Sequence, residues 1–215
     1  MMAIIRRSIE EHIERNEMGK DNQVGFTEGN RIENNLCILR YCIESSYNMK
    51  KPLIVISIDF TKAFDSIKRE KLIETLMEYK INPQIIAIIA NMYEGDKTKM
   101  EVSKEDHITL DVTSGIRQGC TGSTTLFKLA TFKVIQRLEE LDKGYQDEIF
   151  KITSLFYADD GMILTNSLEH ASTVVEEVVN VSKNLGLEIN KQKSNIIIFN
   201  IKEKPEMIGE IKSNR

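Results

Sequence analysis

The chain has 215 residues, 41% hydrophobic and 29% charged, an ordinary globular composition with length for one sizeable core or two small subdomains. Its three cysteines, Cys37, Cys42 and Cys120, lack metal-ligand spacing and are odd in number, as expected of a reduced, intracellular protein without disulfides, nuclear or cytoplasmic. No apolar run reaches membrane-spanning length, residues 1–17 mix charge into every turn unlike a secretory signal, and the net charge of −4 argues mildly against nucleic-acid binding while leaving room for local basic patches.

Residues 3–16 place apolar and charged side chains at helical spacing, and residues 19–29 form a polar loop interrupted by Val24 and Phe26. Helical period returns over 31–47 through Ile32, Leu36, Leu39 and Ile43. The run 53–58 is short, β-branched and apolar, so it predicts a largely buried strand, and Asp59 stands at its exit. An amphipathic helix is expected over 68–79, and a second opens at Asn82-Pro83, with Asn as cap and Pro in the first turn, and runs to about Tyr93. Residues 97–102 and 107–113 suit a strand pair, and 124–141 suits a helix. Residues 149–157 read as one strand, turning at Asp159-Asp160 into a second apolar run over 161–165. A long helix over 168–185 ends at Gly186, residues 196–199 are a last strand, and 202–215 read as a tail. This order predicts an α+β fold, an antiparallel-rich sheet with helices on one face.

Three features carry chemistry. Asp159 and Asp160 put two like charges on a tight turn, which calls for a cation, hard Mg²⁺ before others, although adjacent aspartates also suit a solvated turn. Asp59 supplies a third carboxylate if its strand lies beside that hairpin, and it reads equally as a helix cap. Such a cluster could hold two Mg²⁺ ions for an in-line phosphoryl displacement. Between them, Gly115, Gly119 and Gly122 lie among small polar residues ahead of a helix, where backbone can approach a ligand closely, or where an ordinary loop meets its cap.

Taken together these segments resemble the reverse transcriptases, most closely the polymerase of non-LTR (LINE-like) retrotransposons. Ser57 to Asp65 looks like the first acidic motif, Gly115 to Phe127 like the template and nucleotide loop, and Phe156 to Asp160 like the aromatic-x-Asp-Asp hairpin. The stretch from Gly186 to Asn190 with Lys193 and Ser194 looks like the motif that follows, and Gln23 to Phe26 with Gly29 and Arg31 is similar to the fingers segment. The resemblance spans residues 23–200 with the motifs in order.

The resemblance implies a right-hand polymerase palm with a ferredoxin-like sheet over 53–200, partial fingers over 1–52, a C-terminal tail over 201–215 and no thumb. Asp59 and Asp159 would be the principal ligands of two Mg²⁺ ions, Mn²⁺ being a substitute, with Asp160 as third acid and the Phe60 carbonyl as auxiliary ligand. Phe64 matches the steric gate that excludes a ribose 2′-OH, and the Lys62 and Ala63 amides would meet the triphosphate. Gln118 and Gly119 match positions contacting the incoming nucleotide and template base. Lys193 would protonate departing pyrophosphate, Arg31 would hold the β/γ-phosphates, and Tyr157 would pack near the primer end. Phe64 and Tyr157 also suit plain packing, and Lys193 a solvated surface.

The implied activity is RNA-directed DNA synthesis, with RNA template, DNA primer and dNTP as partners, no membrane, and room for a partner chain supplying thumb or endonuclease. Two departures stand out: Thr121-Gly122-Ser123-Thr124 replaces the usual Pro-Leu-Ser-Pro, and the segment upstream of Gln23 is short. An RNA-directed RNA polymerase would favour an acid where Phe64 stands and a glycine at Ala158. A non-catalytic remnant binding RNA or a protein partner is the alternative from another class.

Overall fold

The computed structural model describes residues 2–18, 32–101, 107–117, 119–202, 205–209 and 211–214. Helices α1 (Met2–Arg15) and α2 (Ile32–Met49) precede strands β1 (Leu53–Ile58) and β2 (Phe60–Thr61). Then come α3 (Ala63–Ser66), α4 (Arg69–Glu78) and α5 (Pro83–Tyr93), followed by the antiparallel pair β3 (Lys97–Glu101) and β4 (His107–Asp111). Helix α6 (Ser123–Leu141) leads into β5 (Tyr145–Gln146), β6 (Lys151–Ile152), β7 (Ser154–Tyr157) and β8 (Asp160–Thr165). The chain continues through α7 (Leu168–Leu185), β9 (Glu188–Ile189), β10 (Asn195–Phe199), β11 (Met207–Ile208) and β12 (Ile211–Asn214).

The main sheet runs β11-β12-β10-β1-β8-β7, antiparallel throughout except where β12 lies parallel to β10. β1 is central and its apolar run does not alternate, because both its faces are covered. Ile54, Ile56 and Ile58 face the larger core, shared with α1 and α4 to α7, where Leu72, Phe127, Val174 and Val178 are buried. Leu53 and Val55 face the other side, with Leu155, Leu164 and Tyr145, under Cys42, Ile38 and Tyr41 of α2. The α+β expectation with helices on one face describes six of these seven helices, α3 included through buried Ala63, and α2 is the exception. Its apolar period placed it on a core but could not say which face.

Capping follows the sequence. Asn82 accepts from the Gln84 amide at 2.9 Å with Pro83 behind it, and Ser167 accepts from the His170 amide at 3.1 Å to start α7.

Two expectations are corrected. The run 149–157 is not one strand: Ile149 is exposed, and β6 and β7 are separate pieces. Buried Asp147 causes the break, since its Oδ1 accepts from the amides of Ile149 at 2.8 Å and Phe150 at 3.0 Å and bends the chain there. The stretch read as a tail instead carries β11 and β12, with Ile208 and Ile211 buried against the core. Their three apolar residues, Met207, Ile208 and Ile211, are too few, among lysines and glutamates, to stand out as strands.

Candidate active site

The exit of β1 and the turn of the β7–β8 hairpin are neighbours because β1 pairs with β8 in a register that sets Ile58 opposite Gly161. The acids at both ends are thereby brought to one edge of the central sheet. In the hairpin Tyr157 pairs with Asp160, leaving Ala158 and Asp159 as the turn, and Ala158 has φ 59°. A non-glycine residue in that region costs about 1–3 kcal/mol and is held only by its surroundings. Part of that support is the cross-strand pair Phe156–Gly161, where the buried Phe156 ring lies so close that a Cβ on Gly161 would come within 2.5 Å of it. On the free side of β7, the buried Asn35 amide of α2 donates to the Phe156 carbonyl at 3.2 Å. Nothing in the helical period of α2 distinguishes Asn35 from a surface residue, so the sequence did not reveal it.

Asp59 is held by its backbone from two directions. Its N–H donates to Ser194 Oγ at 3.1 Å and its carbonyl accepts from the Asn190 amide at 2.8 Å. Asn190 in turn accepts the amides of Gln192 and Lys193 on Oδ1, an Asx turn that folds the segment back beneath Asp59. Ser194 is buried, and its spacing from Asn190 was the available signal for this role.

The side chain of Asp59 is less complete. Its Oδ2 is buried and accepts no hydrogen bond, and Lys193 Nζ lies 3.9 Å from it on an exposed side chain. That separation is an ion pair without a hydrogen bond. At Asp160 partial desolvation raises the carboxyl above its ordinary range, the charges of Asp159 and Asp59 raise it further, and Lys193 opposes them. Asp59, Asp159, Asp160 and Lys193 therefore share one electrostatic field.

Among the described residues no group of three His, Cys, Asp or Glu side chains is gathered as a ready metal cage. That does not conflict with Mg²⁺ chemistry, because Mg²⁺ commonly uses one or two carboxylates and completes its shell with water and substrate phosphate. A buried carboxylate oxygen that accepts no hydrogen bond, in the field of two further acids, is a hard-oxygen donor set that fits such an ion.

Phe64 lies on α3, and its half-buried ring stacks on Phe127 of α6 with centroids 4.3 Å apart and 16° between planes. The packing expected of a core aromatic is thus present, and it fixes the ring from one side. Phe60 sits in β2 opposite Ile189 of β9, and Lys62 precedes α3 with φ 46° and ψ 48° while Ala63 is buried in its first turn. The 115–119 loop is tied to this same helix: the Gly115 and Ile116 amides donate to the carbonyls of Ile67 and Phe64, each at 2.8 Å. Gly115 has φ 87°, and a Cβ there would lie 2.9 Å from the Asp65 carbonyl oxygen, so both conformation and space require glycine. Gly119 is exposed with φ 79°, and Ser123 Oγ turns back to bond the Arg117 carbonyl. Tyr157 is 39% exposed at the end of β7. Arg31, Gln118 and the 23–29 segment lie outside the described residues. The three cysteines are free thiols, and among the described residues no helix is long and apolar enough to cross a membrane.

The chain is 27% identical over 171 residues to the retrovirus-related Pol polyprotein from type-1 retrotransposable element R2 of Nasonia vitripennis, covering 80% of this chain and 17% of that protein. The corresponding protein of Bradysia coprophila is 25% identical over 163 residues, which are 76% of this chain and 18% of its own length. The chain thus spans under a fifth of these curated relatives. Among solved structures, telomerase from Candida tropicalis truncated from its C-terminal domain superposes with a TM-score of 0.70 over 95% of this chain and 42% of that one, at 13% identity. That likeness establishes a polymerase fold of mixed α+β type. The profile of the reverse transcriptase (RNA-dependent DNA polymerase) family matches residues 1–209, and the chain belongs to that family.

Proposed function

We propose that the chain is the palm and partial fingers of a retroelement reverse transcriptase, with residues 53–200 as palm and 1–52 as fingers. Its reaction is RNA-directed transfer of a nucleotide from dNTP to a primer 3′-OH. The carrying observation is the buried Asp59 Oδ2, which accepts no hydrogen bond and is set in one field with Asp159, Asp160 and Lys193.

In the reaction the primer 3′ oxygen forms a bond to the α-phosphorus, the bond to the bridging oxygen breaks, pyrophosphate leaves, and the hydroxyl proton passes to water. Asp59, Asp159 and Asp160 would hold two Mg²⁺ ions, or Mn²⁺ in their place, with the Phe60 carbonyl as auxiliary ligand. When bound, the ions supply charge neutralisation at the triphosphate and a lowered pKa for the attacking hydroxyl. The chain's own groups do the rest. Lys193 carries a proton on Nζ for the departing pyrophosphate. On the family resemblance the Lys62 and Ala63 amides and Arg31 would serve the phosphates, and Gln118 and Gly119 the nucleotide and template base. Phe64, braced by Phe127, walls off the ribose 2′-OH, and Tyr157 packs at the primer end. RNA template, DNA primer and dNTP are the partners on this reading, with a further chain or segment supplying additional grip on the duplex.

Extension of a DNA primer annealed to RNA tests it, with deoxy- and ribonucleotides supplied separately in Mg²⁺ or Mn²⁺. Metal-dependent incorporation of deoxynucleotides, lost in Asp159→Asn, is expected. No extension by the wild-type chain with either metal overturns the reading and leaves a non-catalytic RNA- or protein-binding remnant. Phe64→Val should raise ribonucleotide incorporation, and an unchanged ratio would reject the gate.

A further inference from the structure

A second acidic centre lies away from the catalytic edge. Asp96 sits between α5 and β3 and receives two guanidinium groups. Arg69 Nη2 donates to its Oδ2 at 2.8 Å, while Arg117 donates Nε to Oδ2 at 3.1 Å and Nη2 to Oδ1 at 2.7 Å. The Asp96 and Arg69 side chains are only 14% and 11% exposed. Arg69 spends its remaining donors on backbone, bonding the carbonyls of Gly115 at 3.0 Å, Val112 at 2.6 Å and Tyr93 at 3.3 Å, and its guanidinium lies over the Tyr93 ring at 4.5 Å. The Val112 amide closes onto the Asp96 carbonyl at 2.8 Å.

The bonds to the Gly115 and Val112 carbonyls, from the Val112 amide and from Arg117 restrain the segment that ends at Arg117, the residue before Gln118. One side of that segment is fixed to α3, which carries Phe64, by the Gly115 and Ile116 amides. The other side is fixed by Asp96 through a forked, charge-assisted pair, whose geometry sets direction as well as distance. Arg117 is 47% exposed, so without Asp96 its long side chain would be free to move in water, leaving its backbone held only through the Ser123 hydroxyl at its carbonyl and the neighbouring Gly115 and Ile116 amides.

We propose that Asp96, with Arg69, is a positioning residue for polymerisation: by holding Arg117 it fixes residues 112–117, which are hydrogen-bonded to the helix that carries Phe64, and so governs dNTP binding and sugar selection. This rests on the polymerase reading above. Asp96 touches no substrate and acts only through Arg117 and the loop.

Three variants and two readouts test it on the 215-residue chain. Asp96→Asn removes the charge at the hub, and Arg117→Gln removes only the loop's side of the clasp, leaving Arg69 with Asp96. Hydrogen exchange at the Gly115 and Ile116 amides, which needs no activity, should quicken by about tenfold or more in both, while amides of β1 keep wild-type rates. Steady-state extension should show KM for dNTP raised by about tenfold with kcat changed far less, and a shifted deoxy- to ribonucleotide ratio, both partly restored in Asp96→Glu. Wild-type exchange rates in Arg117→Gln, or faster exchange with unchanged KM and sugar ratio in an active enzyme, overturn the proposal. Failure of the wild-type chain to extend any primer would instead refute the polymerase reading, while the exchange rates would still decide whether Asp96 holds the loop.

Discussion

Asp59 and Asp96 are both partly buried aspartates with basic neighbours, yet their surroundings differ in kind. Asp96 takes three hydrogen bonds from two guanidinium groups, and those contacts, led by Arg117, hold its carboxyl below the usual range against the opposing effect of burial. Asp59 keeps one buried oxygen that accepts no hydrogen bond, faces a lysine at 3.9 Å, and adds its charge to two further acids. A fold gains by completing a structural carboxylate, since a buried unpaired acceptor costs about 1–3 kcal/mol. An acid left incomplete beside other acids is what a ligand-binding site looks like before its ligand arrives. The difference separates the acidic centre proposed for catalysis from the one proposed to hold the loop.

The largest expected effect breaks the comparison directly. Asp159→Asn should lower primer extension by at least about a hundredfold, the scale of losing preorganised electrostatic stabilisation, while thermal stability stays level or rises because a like charge has gone. A variant that extends normally, or that loses several degrees of stability, would place Asp159 among the structural acids. Next, Gly115→Ala should destabilise by about 1–3 kcal/mol in denaturant titration, because its Cβ would press on the Asp65 carbonyl in a left-handed backbone. Wild-type stability there would mean the loop is not locked to α3.

The smallest effect is in acid. The folded-state pKa of Asp96 is lowered, so its contribution is fully present above the unfolded carboxylate value and is lost as pH falls through the folded one. Asp147 behaves likewise: burial opposes the shift, but the Phe150 and Ile149 amides and the Ser45 and Tyr41 hydroxyls bring its carboxyl down to about 2. Its contribution should fade between about pH 4 and that value. Unfolding measured across this range should therefore show a shallower acid loss in Asp96→Asn than in the wild type. Parallel curves would mean that the Asp96 pairs contribute nothing to stability.

Where the sequence was readable, a local pattern matched a local cause. Helix α7 carries its apolar period, its Ser167 cap and its terminal Gly186 within one stretch, and β1 is continuously apolar because both faces are covered. Asp59 and the Asp159 turn could be paired because each closes such a run. What could not be read depends on long-range partners. Arg69, Asp96 and Arg117 come from three separate segments and form no motif until the chain folds. Asn35 meets Phe156 across 121 positions, and one buried aspartate, Asp147, divides an apolar run that otherwise reads as a single strand.

Divalent-metal binding tests the central distinction most directly. Calorimetric titration of the chain with Mg²⁺, or with Mn²⁺ followed by paramagnetic resonance, should show binding that Asp59→Asn and Asp159→Asn each weaken at least about tenfold and Asp96→Asn leaves intact. Binding equally strong in all three variants, or weakened only in Asp96→Asn, would contradict the assignment of the incomplete acidic edge as the catalytic centre.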